Sequence, residues 1–567
     1  MRKSKLQLFL PLVMFVVASM VITSCSSKLT PLPDSLFNAS PSPLELVGTK
    51  VPVTVTGKFP EKWFNKNAVV TITPVLKYQG GELYGTSQTY QGENVSGNGI
   101  TVPQNLGGSF NLRSQFDYIP ELHKSELYLR FKASIKNKTF DFPDVKVADG
   151  VVSTAALATA ASTTPAEAPD KFQRIIKEAH DANIMFLIQQ ADLRSSELNS
   201  SNLAAWKDLV KSAYNDERRN VDVEVSAYAS PDGGYELNEG LSEKREKNTS
   251  GYLSKEFNKN KLDVEINAKY TAQDWDGFKK LVEASNLQDK DLVLRVLSMY
   301  PDPEVREREI KNISAVYSEL AETILPQLRR SRLTANVEII GKTDEELFAA
   351  VNNGQFNTLS IEELLYAATL AGAPRENIYS YVTQKYPNDY RGWNNLGAYY
   401  YESGDMTKAS QAFNKALNVS ARAAEPNMNL ALNALSTNDV TKAEQLLGNA
   451  SQANTINEAL GLLYIKKGDY VKAVDAFGDT KSDNAAVAQI LTKNYNKAQQ
   501  TLDGISNKTA NTYYLAAVVA ARTNNAGGVA SNLRQAIQKD PQLKRYALTD
   551  LEFAKFMTNP DIANMLR

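Results

Sequence analysis

The chain has 567 residues, 63 basic and 64 acidic side chains, a formal net charge of −1 and 43% hydrophobic residues, which is room for about three to five domains. That balance excludes a disordered chain and gives no overall electrostatic drive toward nucleic acid. Two histidines, His123 and His180, and one cysteine, Cys25, exclude a disulfide framework, a Cys-rich zinc site and a multi-His metal centre in a monomer, and with them most imidazole or thiolate catalysis. The composition favours a binding or scaffolding protein over an enzyme, with no catalytic set, metal or cofactor expected.

Arg2, Lys3 and Lys5 precede an apolar run over residues 6–22, after which Thr23 and Ser24 lead into Cys25. A charged start, a short apolar stretch interrupted by Pro11 and small residues at its end read as a cleaved leader, residues 1–24, rather than a membrane span. Ile22-Thr23-Ser24-Cys25 resembles the bacterial lipobox. That resemblance implies acylation of Cys25, and several acyl chains make a firm anchor where one is marginal. Residues 25–43 are polar and Pro-containing and read as a tether. No Asp follows the cysteine and no acidic cluster follows it either. By resemblance to lipoprotein sorting this implies the outer membrane, with the protein facing the periplasm.

Residues 44–151 alternate apolar and polar side chains, as in Val51-Pro52-Val53-Thr54-Val55, Val70-Thr71-Ile72-Thr73 and Leu127-Tyr128-Leu129-Arg130-Phe131. With Gly-rich turns at Gly80-Gly81 and Gly97-Asn98-Gly99, the spacing predicts antiparallel strands in a β-sandwich, read as a structural spacer. Residues 152–171 are rich in Ala, Thr, Ser and Pro, hold no large apolar side chain after Leu157, and read as a linker.

Residues 172–342 predict an α/β domain. A short apolar run at 184–188, a helix around 203–210, a strand at 221–230, a turn at Pro231-Asp232-Gly233-Gly234, a helix over 237–257 and a strand at 264–270 follow in order. Asn238-Glu239-Gly240-Leu241-Ser242-Glu243-Lys244-Arg245 resembles the N-x-x-L-S-x-x-R helix of OmpA-like peptidoglycan-binding domains, and the likeness covers roughly residues 180–342. It implies that Arg245 grips the carboxylate of a stem-peptide diaminopimelate, a bidentate charge-assisted pair, with Asn238, Leu241 and Ser242 completing the helix motif. The family's aspartate falls on Ser230, so a counter-charge for the ligand's ammonium must come from Asp232. Peptidoglycan binding and a degenerate domain kept for its fold or for protein contacts both stand. A helical insertion of about sixty residues, of a kind associated with Bacteroidetes-type envelope proteins, precedes a final strand at 335–340. Arg329, Arg330 and Arg332 sit at its predicted helix end, either solvated or facing a phosphate or an acidic partner.

Residues 343–567 predict an all-α array. Trp393, Leu396-Gly397, Tyr400, Gly404-Asp405, Ala409, Phe413 and Ala416 resemble the tetratricopeptide repeat, with Ala421 where its closing proline belongs. Ala443 lies 34 residues after Ala409, one repeat period. Leu460-Gly461, Gly468-Asp469, Ala473 and Phe477 give a further copy, Tyr495, Ala498 and Leu502 a shortened one, and residues 513–541 another. An earlier pair, 361–371 and 378–387, starts the stack, and 551–566 caps it. The resemblance implies a curved solenoid whose concave face takes a peptide or partner protein.

The whole chain is thus multidomain: a β-sandwich, an OmpA-like α/β domain with a helical insertion, and a tetratricopeptide-repeat solenoid. The expected role is a lipid-anchored outer-membrane scaffold recruiting protein partners to an envelope complex for secretion or uptake, a combination that resembles accessory lipoproteins of the type IX secretion system. The alternative is a peptidoglycan tether.

Overall fold

Alternation along the strand Lys50–Phe59 turns Val51, Val53, Val55 and Phe59 inward, and Gly108–Asp117 answers with Phe110, Leu112 and Phe116. These two pair antiparallel, with Phe37–Ser40 on the other edge of Lys50–Phe59, in a three-stranded sheet. A second sheet is built on the long strands Ala68–Tyr78 and Ser125–Ile135, which bury Val70, Ile72, Leu76, Leu127, Leu129, Phe131 and Ala133. Both sheets share one core. Phe59, Phe64, Tyr90 and Phe110 meet there with centroids 5.2–5.6 Å apart. Gly57 is required in that packing, because a Cβ would stand 2.3 Å from the Phe110 ring.

These coordinates are a computed structural model that describes residues 29–567 except 137 and 288. Cys25 and the leader 1–24 lie outside the described residues. The described chain divides into two compact units, residues up to 168 with 383–567, and residues 169–382.

The predicted tether, 25–43, is too long. Leu32 and Ala39 are buried, Trp63 donates its indole N–H to the Thr30 carbonyl at 2.9 Å, and Phe37–Ser40 is a strand. The apolar residues at 32, 36, 37 and 39 have a sheet face to cover, and burying them outweighs the chain entropy of a free tether.

In the same unit, five helix pairs follow one another: Tyr390–Glu402 with Met406–Val419, Ala424–Ser436 with Val440–Leu447, Ile456–Lys467 with Tyr470–Phe477, Asp483–Leu491 with Tyr495–Asp503, and Ala510–Arg522 with Ala526–Lys539. Each turn is built the same way. A residue at positive φ ends the first helix (Gly404, Asn438, Gly468, Lys493 and Asn524), and the next residue caps the second helix. Those caps are Asp405, Asp439, Asp469, Asn494 and Asn525, each accepting a backbone N–H three residues on. Within a pair, small meets large: a Cβ on Gly397 would lie 2.6 Å from the Phe413 ring, and one on Gly461 2.5 Å from Phe477. The predicted cap is seen in the turn Leu551–Phe556 and the helix Pro560–Leu566, which bury Phe553, Phe556, Ile562 and Leu566.

The second unit has a four-stranded mixed sheet in the order Ile175–Met185, Arg330–Ile340, Arg219–Tyr228, Ile266–Thr271, with only the last two parallel. Helices Ser201–Tyr214 and Tyr235–Lys259 cover it through Leu203, Trp206, Val210, Leu253 and Phe257. The first strand starts earlier than the apolar run at 184–188 suggests, and Leu187 and Ile188 are exposed beyond its end. The helical insertion, from Trp275–Ala284 to Leu325–Leu328, carries a core of its own around Phe278, Val293, Ile310 and Leu320. Helices Asp344–Asn352 and Ile361–Ala367 belong to this unit as well, not to the repeat array. Arg174 pairs with Asp344, Arg218 with Glu346 at 2.6 Å, and Phe172 stacks on Tyr366 at 4.5 Å. The predicted boundary at 342/343 therefore moves to 382/383, because these helices turn their polar and aromatic groups to the sheet's flank.

The turn and packing rules make opposite responses at two positions the expected outcome. Lys493→Gly removes a side chain from φ +62° and raises solenoid stability by about 0.5–1 kcal/mol. Gly461→Val, aimed at the Phe477 ring, lowers it by about 1–3 kcal/mol. Urea melts followed by far-UV circular dichroism read both.

Candidate functional site

Asparagine is a poor residue for a helix interior, because its amide competes with the backbone. Yet Asn394, Asn395, Asn429, Asn484 and Asn511 lie in the first helices of four of the pairs. Their amides are spent on one segment, residues 153–168 of the predicted linker 152–171, which is extended apart from tight turns at Thr154–Leu157 and Ala160–Ser162. Asn395 accepts the Ala168 N–H at 2.7 Å and donates to the Ala168 carbonyl at 2.9 Å. Asn429 does the same to Ala166 at 2.7 and 2.8 Å, and Asn484 to Thr159 at 3.0 and 2.9 Å. Asn394 adds a second donor to the Ala166 carbonyl at 2.9 Å and accepts from Asn429 at 3.0 Å, which fixes the orientation of both amides.

The segment runs against the order of the repeats. Asn511 meets the Leu157 carbonyl, Asn484 meets Thr159, the Glu458 carboxylate accepts the Thr164 N–H, Asn429 meets Ala166 and Asn395 meets Ala168. Each first helix thus supplies at least one polar group to the same peptide, and Tyr390–Glu402 supplies three. Burial pushes the Glu458 carboxyl above the usual carboxylate range, against the pull of that N–H. The Tyr401 hydroxyl donates to the Ala160 carbonyl, and burial pushes its pKa up.

Side chains obey a size rule. Ala158, Ala160, Ala166 and Ala168 are 0–3% exposed against the inner face, while Thr159, Ala161 and Thr164 face outward. Each buried methyl contributes about 0.8 kcal/mol. Upstream, Val151–Val152 pairs in parallel with Leu44–Glu45, Ser153 meets the Tyr546 hydroxyl at 3.0 Å, and Thr154 donates to Glu552 at 2.5 Å, which Arg522 holds from the other side at 2.7 Å. The linker reading is therefore corrected. Residues lacking large side chains cannot form a core of their own, but they fit a groove lined by amides.

Of the residues singled out in the sequence, Asn238, Arg245 and Asp232 lie around the turn after Arg219–Tyr228, while Leu241 and Ser242 have no bond to it. Arg245 is fully buried, with Nε on the Gln190 carbonyl at 3.0 Å, Nη1 on Tyr228 at 2.8 Å, Nη2 on Leu187 at 3.2 Å, and Phe186 beneath it at 4.9 Å. Burial, with Arg329 nearby, lowers its pKa to about 10. Asn238 ties the turn by donating to the Ser230 and Gly233 carbonyls at 3.1 and 2.8 Å. Ser242 is buried and donates to the Glu239 carbonyl of its own helix, and Leu241 is half-buried. Asp232 accepts from Ser230 and pairs with Arg329 at 3.0 Å, while Arg329 Nε reaches Ser230 Oγ at 3.2 Å. Arg330 pairs with Asp274 at 3.0 Å and lies over the Tyr228 ring. Arg329 closes the helix Leu325–Leu328, as predicted, Arg330 and Arg332 begin the next strand, and Arg329 and Arg330 face acids of their own unit.

Residues 390–422 match the tetratricopeptide repeat family. No curated protein matches the chain. Among solved structures, a tetratricopeptide repeat protein of Parabacteroides merdae is 16% identical, covering 40% of this chain and 91% of its own, with a TM-score of 0.28. The pilF protein of Pseudomonas aeruginosa is 18% identical over 38% of this chain and 99% of its own, TM-score 0.26, and yeast Tom70 is 11% identical over 57% and 77%, TM-score 0.26. Likeness at this level assigns no partner and no activity. The repeat itself is a protein-interaction module, and protein partners follow from it in general terms.

Asn429→Leu leaves the Ala166 N–H without its partner inside the groove and the carbonyl with Asn394 alone, at a cost of about 1–3 kcal/mol. Hydrogen exchange read by mass spectrometry over residues 160–168 is expected to speed up in that variant; unchanged protection would count against the amide ladder.

Proposed function

We propose that this protein is a lipid-anchored scaffold of the outer membrane, facing the periplasm, that holds protein partners in an envelope complex for secretion or uptake. The observation that carries the interaction role is the array of helix pairs around the tetratricopeptide repeat at 390–422. The anchor rests on Ile22-Thr23-Ser24-Cys25 after the apolar run. A scaffold of this kind acts through effective concentration, keeping bound partners near one another and near the membrane without chemistry of its own.

The OmpA-like likeness of roughly residues 180–342 supports a second reading, a peptidoglycan tether, because Asn238, Arg245 and Asp232 gather round one turn. It is the weaker of the two. Arg245 already serves three carbonyls and Asp232 already pairs with Arg329, so a diaminopimelate would have to break buried bonds to enter.

Purification of the tagged protein from its native outer membrane in mild detergent, with and without muramidase, separates the readings. Defined protein partners that persist after muramidase are expected. Recovery only as a muramidase-releasable wall complex, with sedimentation of the pure protein on sacculi, would replace the scaffold by the tether. Cys25→Ala is expected to move the protein from the membrane to the soluble fraction.

A further inference from the structure

The inner face of the repeats is already filled, and the way it is filled has the character of peptide recognition rather than of a chain passing by. Three pairs of amide bonds, at Thr159, Ala166 and Ala168, each satisfy both the N–H and the carbonyl of one residue. Such bonds select an extended backbone and accept any residue but proline at those points. Inward side chains are small, with Ala158, Ala160, Ala166 and Ala168 buried, and Thr163 is also held by polarity, accepting from the Asn484 amide at 3.1 Å. Pro165 and Pro169 stand beside the clamped residues and favour the extended form the groove takes.

We propose that residues 153–168 are the resident ligand of this groove, a built-in peptide that occupies it in the resting chain, so that an outside segment enters only when the resident leaves. This rests on the reading that the repeats take a protein partner. The class of outside segment is set by the same contacts: a stretch rich in Ala, Ser and Thr, small at the inward positions and extended at the residues the amides clamp. Covalent connection gives the resident a standing advantage, an effective concentration of about millimolar for a short connection. The Val151–Val152 pairing and the Thr154–Glu552 bond hold its upstream end in place. The resting scaffold therefore presents partners with surfaces other than its inner face, and whatever frees 153–168 opens a peptide site.

The test uses the full chain and a fluorescein-labelled synthetic peptide of residues 153–168, followed by fluorescence anisotropy. Three proteins are compared: the wild type, the double variant Ala160→Arg with Ala166→Arg, whose own segment no longer fits, and that variant with Asn429→Leu and Asn484→Leu added. Circular dichroism reports folding. The expected result is binding at least about tenfold tighter by the double variant than by the wild type, as release from a tethered competitor requires, and loss of that binding when the asparagines go. Equal binding by the wild type overturns the occlusion. A folded double variant that ignores the peptide overturns the site. A Gly/Ser replacement of residues 155–168 provides a second release without buried charge. Unfolding of both released proteins would overturn the proposal too, since the segment would then be core and not ligand. None of these readouts depends on the native partner, so failure to recover one from membranes and failure of the peptide site are separate results.

Discussion

The amide ladder between the repeats and residues 153–168 is the interaction that organises the inner face of the first unit. Five helix pairs bring short polar side chains to one inner face, and those side chains bond a backbone instead of water. Helical repeats bury their hydrophobic surface only against neighbours, leaving the inner face polar and uncovered. A single segment lying across all of them spans that weakness, because it bonds to successive repeats rather than to one. It also carries the sandwich's last short strand directly into the array, so the β core and the helical core are linked through hydrogen-bonded chain.

The second unit follows a different logic, in which charge is neutralised inside the unit. Arg245, Arg329 and Arg330 stand within one region, and each is matched: Arg245 by three carbonyls and an aromatic face, Arg329 by Asp232, Arg330 by Asp274 and Tyr228. A guanidinium suits such positions, since its planar fork meets several acceptors at once and stays charged when buried. Ser230 fits the same arrangement. Its hydroxyl bridges Asp232 and Arg329, so the side chain that departs from the OmpA-like pattern has a defined place in the network.

Much of the architecture was legible in local pattern. Period-two alternation marked the long sandwich strands, and the Gly-Asp pairs at 404–405 and 468–469 marked turns and caps. What escaped was every feature whose partner lies far along the chain. Asn395 and Asn429 are 34 residues apart, one repeat period, and their place inside helices was a usable signal that each amide had a task. The segment they hold gave no signal of its own, because small residues suit a free linker and a narrow groove equally. Helices 344–352 and 361–367 carried ordinary helical patterns, and nothing local said whether they stack on repeats or on the sheet.

By itself, then, the sequence determined the long sandwich strands, the repeat pattern with its Gly-Asp pairs at 404–405 and 468–469, and the small residues where paired helices touch. Those follow from propensity, periodicity and size, which act between near neighbours. Tertiary structure alone decided that residues 153–168 are buried in the groove, that Phe37–Ser40 belongs to a sheet, and that Arg245 is spent on carbonyls. These depend on which distant backbone groups are left without hydrogen bonds once the helices and sheets have formed, a quantity that exists only in the folded chain.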